Sequence, residues 1–85
     1  MSAPRFVYVL ESLNQPGRHY TGISSEPGSR LEWHNAGLSH HTAKHRPWTL
    51  FVSLEFPDAS RAIRFEKYLK TGSGRAFSKR HFGVG

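Results

Sequence analysis

From residue 5 to residue 11 the chain reads Arg-Phe-Val-Tyr-Val-Leu-Glu, with Phe6, Tyr8 and Leu10 alternating against Val7 and Val9. Alternation sends successive side chains to opposite faces, and here both faces are apolar, which predicts a central strand covered on two sides. Asn14-Gln15-Pro16-Gly17 is a turn signal, and residues 19–24 resume an extended pattern, so the pair predicts a β-hairpin. Gly22 removes a side chain from the second strand, a sign of a bulge or of close approach by another group. Ser24-Ser25-Glu26-Pro27 carries helix-start chemistry: serine caps, then a proline in the first turn, where its missing N–H costs nothing. That helix should reach about Ala36 and stop at Gly37. Residues 38–46, rich in histidine and basic side chains, predict a loop with a short helical turn. Pro47 then opens a third strand over 48–56, with Trp48, Leu50, Val52, Leu54 and Phe56 alternating along one face. Asp58 caps a second long helix to about Thr71, which Gly72 ends, and Ser73 caps a last short helix through Phe82. The order β-β-α-β-α-α predicts an α+β fold: a three-stranded antiparallel sheet flanked by helices on both sides.

Length and charge narrow the functional classes. The chain has 85 residues, room for a single domain over 1–85 with a modest core and no second domain to roof a large pocket. Lys and Arg number 12 against 6 acidic residues, a formal charge of +6, which points to a polyanionic partner. Lys44, Arg46, Lys70, Arg75, Lys79 and Arg80 are the candidate phosphate contacts. The absence of cysteine excludes disulfides, a thiolate zinc site and a cysteine nucleophile, and makes the reducing cytoplasm the expected location. No apolar run approaches the ~20 residues of a membrane span, and the N-terminus lacks the long apolar region of a signal peptide. Aromatic residues make up 13% of the chain, which argues against disorder despite an apolar content of 36%.

Candidate chemistry begins with an anomaly in the second long helix. At 100° per residue, Ala59, Ala62, Ile63, Phe65 and Leu69 fill one arc, and Glu66 falls inside it. A carboxylate on a core-facing arc is costly unless paired or metal-bound. Glu66 is therefore either the i,i+4 partner of Lys70, a residue at the rim of the arc, or a hard-metal ligand or catalytic carboxylate. Arg30 and His34 share one face of the first helix, as a solvated surface would have them or as phosphate chemistry would use them: a guanidinium fork for the oxygens and an imidazole for a proton. Tyr8 and Tyr20 lie on the two hairpin strands, where a phenol ordinarily packs with its hydroxyl at the edge. His34, His40, His41 and His45 have no zinc-ligand spacing; phosphate contacts or plain loop composition account for them better.

Val7-Tyr8-Val9, Tyr20-Thr21-Gly22-Ile23, Arg30 with His34-Asn35, Thr42-Ala43-Lys44-His45-Arg46-Pro47-Trp48 and Glu66, in that order, resemble the GIY-YIG endonuclease superfamily. The resemblance runs over about residues 5 to 82 and is closest to its small stand-alone bacterial members. Val7-Tyr8-Val9 stands where the family name has Gly-Ile-Tyr. No asparagine follows Asn35, and Ser73 or Ser78 occupies the region of the family's late asparagine. The resemblance implies a DNA endonuclease using one divalent metal, Mg²⁺ with Mn²⁺ as a substitute, held by Glu66. It implies Arg30 clamping the scissile phosphate and Tyr8 as general base helped by Tyr20 or His34, with His34 the other candidate for that role. A phenol titrates near 10, so this role calls for positive charge nearby; Arg30, Lys70 and the metal could supply it. Tyr8, Tyr20, Arg30, His34 and Glu66 are expected to meet on one concave surface beside the sheet. One active site cuts one strand, so the expected form is a monomer or weak dimer. A non-catalytic nucleic-acid-binding module on the same fold is the alternative, and an adaptor domain for an acidic protein a third reading.

Overall fold

The computed structural model describes residues 3–83; the two outermost residues at each end of the expected 1–85 domain lie outside the described residues. The elements run β1 (Arg5–Ser12), β2 (His19–Ser24), α1 (Pro27–Asn35), α2 (His40–Ala43), β3 (Trp48–Phe56), α3 (Ala59–Leu69) and α4 (Gly72–Phe82). The three strands form an antiparallel sheet in the order β2-β1-β3, with β1 central as its two apolar faces require. The α+β class is the expected one, and the helical turn anticipated after α1 is the short helix α2.

Each face of β1 builds its own core. Val7 packs with Ala62 and Leu69 of α3, joined by Ile23, Phe56, Phe65 and Phe77 of α4. Tyr8 and Leu10 on the other face pack with Trp48, joined by Tyr20 and by Leu31 of α1. α1 and α2 thus lie on one side of the sheet and α3 and α4 on the other.

The third strand departs from its sequence pattern. Val9 pairs with Val52 but Leu10 pairs with Leu50, so Phe51 is an extra residue without a partner on β1. A bulge of this kind shifts the side-chain alternation by one. Trp48 and Leu50 therefore share the face of Tyr8 while Val52, Leu54 and Phe56 share that of Val7, and the single apolar face expected of 48–56 is divided between the two cores. The bulge foreseen as one option at Gly22 lies here instead.

Three helix ends also differ. The side chain of Thr71, rather than Ser73, caps α4 by accepting from the Gly74 N–H, and Gly72 opens that helix instead of ending α3, which stops at Leu69. Ahead of α1, Ser24 accepts the Glu26 N–H at 3.0 Å in a turn before the helix, and the N-cap residue is Glu26 with no side-chain cap bond. Asp58 caps α3 as expected, accepting from the Arg61 N–H at 2.9 Å. No described helix is long and apolar enough to cross a membrane.

Candidate active site

Tyr8 and Gly22 are directly paired across β1 and β2. The phenol leans over the glycine so closely that a Cβ there would lie 2.5 Å from the Tyr8 hydroxyl and 3.1 Å from the Tyr20 ring. Of the two readings of Gly22, close approach is the one realised. The missing side chain makes room for the tyrosine pair.

His34, on the inner side of α1, is 1% exposed and walled by aromatic rings. Ring centroids lie 4.9 Å away for Tyr20, 5.1 Å for Trp33 and 6.1 Å for Tyr8. Both imidazole nitrogens are engaged: Nε2 is 3.0 Å from the Tyr8 hydroxyl, and Nδ1 is 2.8 Å from the Thr42 hydroxyl. Burial first, then the nearby Arg30 charge, push His34 below its ordinary pKa, so the ring is neutral at pH 7. Burial, then Tyr20, raise Tyr8 above the ordinary phenol value. Arg30 opposes this without overcoming it. Positive charge beside Tyr8 was expected to favour the phenolate; with 1% of Tyr8 exposed, desolvation dominates.

Arg30, one helical turn before His34, is exposed and rests its guanidinium 4.0 Å above the Trp33 ring. Trp33 was not among the sequence candidates, although its place between Arg30 and His34 was a signal. Thr42 was passed over in the same way, as the first residue of the quoted Thr42–Trp48 segment. Asn35 is a third omission. It accepts the Trp48 N–H through Oδ1 at 2.6 Å and donates Nδ2–H to the Trp48 carbonyl at 2.9 Å, tying the end of α1 to the start of β3.

Tyr8, Tyr20, Arg30 and His34 therefore meet on one side of the sheet. Glu66 is on α3, which reaches the sheet from the other side and also contacts β2, the edge strand carrying Tyr20 and Gly22. Its carboxylate, 15% exposed, pairs with Lys70 Nζ at 2.6 Å. That is the i,i+4 partnership weighed from the sequence. Among the described residues no hydrogen bond or ion pair joins Glu66 to Arg30 or the tyrosines. As for a metal, Glu66 offers the hard oxygen donor that Mg²⁺ prefers, and one carboxylate with waters is a common way to hold that ion. Its partner Lys70 lies at the surface, where an ion pair is weak enough for a cation to displace it, so the residue fits such a cation. No group of three or more His, Asp or Glu side chains that could hold a metal occurs among the described residues.

The six candidate phosphate contacts fall into two sets. Lys44 and Arg46 border a shallow depression with His40 and His41, on the side of α2 and the tyrosines. Lys70, Arg75, Lys79 and Arg80 belong to the α3–α4 side.

Residues 4–80 match the family described as the GIY-YIG catalytic domain. Over 82 residues the chain is 37% identical to the structure-specific endonuclease subunit SLX1 of Candida dubliniensis, covering 88% of this chain and 27% of that protein. Its identity to the structure-specific endonuclease subunit slx1 of Talaromyces stipitatus is 35%, covering 69% of this chain and 17% of that one. The chain thus spans well under a third of the length of these curated relatives. The solution NMR structure of a UPF0213 protein from Bacillus halodurans superposes with a TM-score of 0.54 at 25% identity, over 94% of this chain and 87% of the other. With the family matched along nearly its full length, this chain belongs to the GIY-YIG catalytic domain family.

Proposed function

We propose that this domain is a DNA endonuclease that hydrolyses phosphodiester bonds with the help of a divalent cation, Mg²⁺ or Mn²⁺. The observation that carries the reading is the buried Tyr8–His34 contact of 3.0 Å with Arg30 beside it. A binding surface needs exposed cations and aromatic faces, not a phenol and an imidazole hidden from solvent and aimed at each other.

In this reading Tyr8 is the general base that takes the proton from the attacking water. His34 supports it, because its Nε2 is committed to the Tyr8 hydroxyl and its Nδ1 to Thr42. Arg30, exposed on α1, clamps non-bridging oxygens of the scissile phosphate, a task suited to its planar fork. Tyr20 closes the aromatic wall that orients His34. Glu66 would hold the cation, which when bound supplies Lewis-acid stabilisation to the departing oxygen. A raised Tyr8 pKa means that the reactive phenolate is scarce at neutral pH. The cutting rate should therefore climb with pH through the neutral range and into the alkaline one.

The relatives' names describe structure-specific endonuclease subunits, so branched DNA belongs in the assay beside supercoiled plasmid and single strands. The test is nicking in Mg²⁺, Mn²⁺ or EDTA, with thermal melts, for the native chain and Glu66→Gln. We expect metal-dependent cutting by the native chain and a stable, inactive variant, since the change takes a charge off an apolar arc. A destabilised Glu66→Gln that still cuts when folded would leave Glu66 as a structural partner of Lys70. DNA binding with no cutting under any metal would favour the non-catalytic module.

A further inference from the structure

We infer that Thr42 is a positioning residue whose hydroxyl lets His34 donate Nε2–H to Tyr8 once that phenol has lost its proton. The inference rests on the reading of Tyr8 as the base. Its grounds are the chain of contacts Tyr8–His34–Thr42 and the type of group at its far end.

A neutral imidazole has one N–H donor and one acceptor nitrogen, so the partner at Nδ1 governs what Nε2 offers. A carboxylate or carbonyl at Nδ1 accepts only and fixes the proton there, leaving Nε2 as an acceptor. Such an Nε2 suits a protonated tyrosine and opposes a phenolate, because two acceptors would then face each other. Thr42 presents a hydroxyl, which accepts or donates according to its rotation. While Tyr8 is protonated, its O–H donates to Nε2, and Nδ1–H donates to Thr42. When Tyr8 gives its proton to solvent, the His34 proton is carried on Nε2 and faces the phenolate, while Thr42 turns its O–H toward Nδ1. The net change is the loss of one proton from Tyr8, with His34 neutral throughout.

The setting restricts the choice of partners. Thr42 is 1% exposed, and its hydroxyl has His34 Nδ1 as its hydrogen-bond partner among the described residues. Its carbonyl is held by the Trp48 indole N–H at 2.9 Å, which anchors α2 where the hydroxyl meets the ring. The other titratable or charged groups that bear on the pair are Arg30 from α1 and Tyr20 from β2. Arg30 stands beside the phenolate and adds to its stabilisation. Neither residue reaches Nδ1 in place of Thr42.

The test compares native protein, Thr42→Val and Thr42→Ser. Valine keeps the shape and deletes the hydroxyl; serine keeps the hydroxyl. Phenolate formation is followed by NMR of tyrosine labelled at Cζ, and the His34 tautomer by imidazole ¹⁵N shifts, without DNA or metal. We expect native His34 to carry its proton on Nε2 at pH above the Tyr8 transition. Thr42→Val takes the partner from Nδ1 in both states, but the loss costs more when the chain ends on a phenolate, because charge-assisted hydrogen bonds are stronger and linked bonds polarise one another. The Tyr8 transition should therefore move upward by about one unit, with a near-native melt, and cutting at a fixed pH below it should fall about tenfold. Serine should restore both. If Thr42→Val leaves the Tyr8 transition and the alkaline rise of the rate unmoved, or if serine behaves like valine, the inference is wrong. The NMR readout needs no cleavage, so a native chain that fails to cut would refute the endonuclease reading while leaving this comparison decisive. Should Thr42→Val fold poorly, Thr42→Ala read against Thr42→Ser decides by the same two signals.

Discussion

At the scale of single residues, the site depends on two side chains that are close and one that is missing. Gly22→Ala would drive a methyl group into the Tyr8 hydroxyl. We expect a cost of about 1–3 kcal/mol from overpacking and a loss of activity larger than the lost stability accounts for, read by melts and nicking on the same sample. His34 makes a pH prediction. Its folded pKa lies below the ordinary 6.5, so in acid the unfolded chain binds a proton that the native state refuses. Stability is then full above about pH 6.5 and falls as pH drops below it. The melting temperature of His34→Gln should depend less on pH between 7 and 5 than that of the native chain. Equal slopes would show that His34 does not carry the acid sensitivity. The sequence offered Tyr8 as either a packed phenol or a functional one, and the structure shows why such a choice was hard: Tyr8 is a core residue of the α1 side and the partner of His34 at once. Trp33 had only its place between Arg30 and His34 to mark it, and Thr42 only its place at the head of a motif, because neither side chain in isolation has a chemical signature. Only the contact that Thr42 makes from α2 to His34 on α1 shows what it does.

At the scale of elements, β1, β2 and the Asp58 cap were legible, because alternation, turn chemistry and an N-cap are local signals. The bulge at Phe51 was not. The run Trp48, Leu50, Val52, Leu54, Phe56 keeps a perfect period of two on paper, and the extra residue shows only once β1 sets the register. Thr71-Gly72-Ser73-Gly74 offered two capping hydroxyls, and Gly72 looked like the end of one helix while serving as the start of the next. Gly74 settles the matter, since its backbone lies against Tyr68, where a side chain would not fit. Asn35 makes the testable contact between elements. Asn35→Ala leaves the Trp48 N–H and carbonyl without that partner and should cost about 1–3 kcal/mol by chemical denaturation. A variant as stable as the native chain would show that α1 is held to β3 by apolar packing alone.

At the scale of the whole molecule, the sheet separates the candidate site residues into two sides that share the β2 edge. Tyr8, Tyr20, Arg30 and His34 lie with α1, while Glu66 lies with α3. All five were expected on one concave surface, and Glu66 departs from that expectation by standing on α3, because the face each helix covers depends on packing that sequence order does not carry. The basic residues divide in the same way. If DNA is held on the Tyr8 side, removing Lys44 and Arg46 together should lower the slope of log affinity against log salt by about 1.8, near 0.9 for each lost phosphate contact. Removing Lys79 and Arg80 should change it less; the reverse order would place the DNA track along α4. The central claim is that the tyrosine–histidine pair performs the cleavage chemistry, and its most direct test is the cutting rate of Tyr8→Phe beside the native chain, on plasmid and branched DNA in Mg²⁺ at alkaline pH. Losing a general base typically costs 10²–10⁴-fold. We expect a loss in that range with DNA affinity and melting temperature close to native; Tyr8→Phe cutting at the native rate would contradict the account.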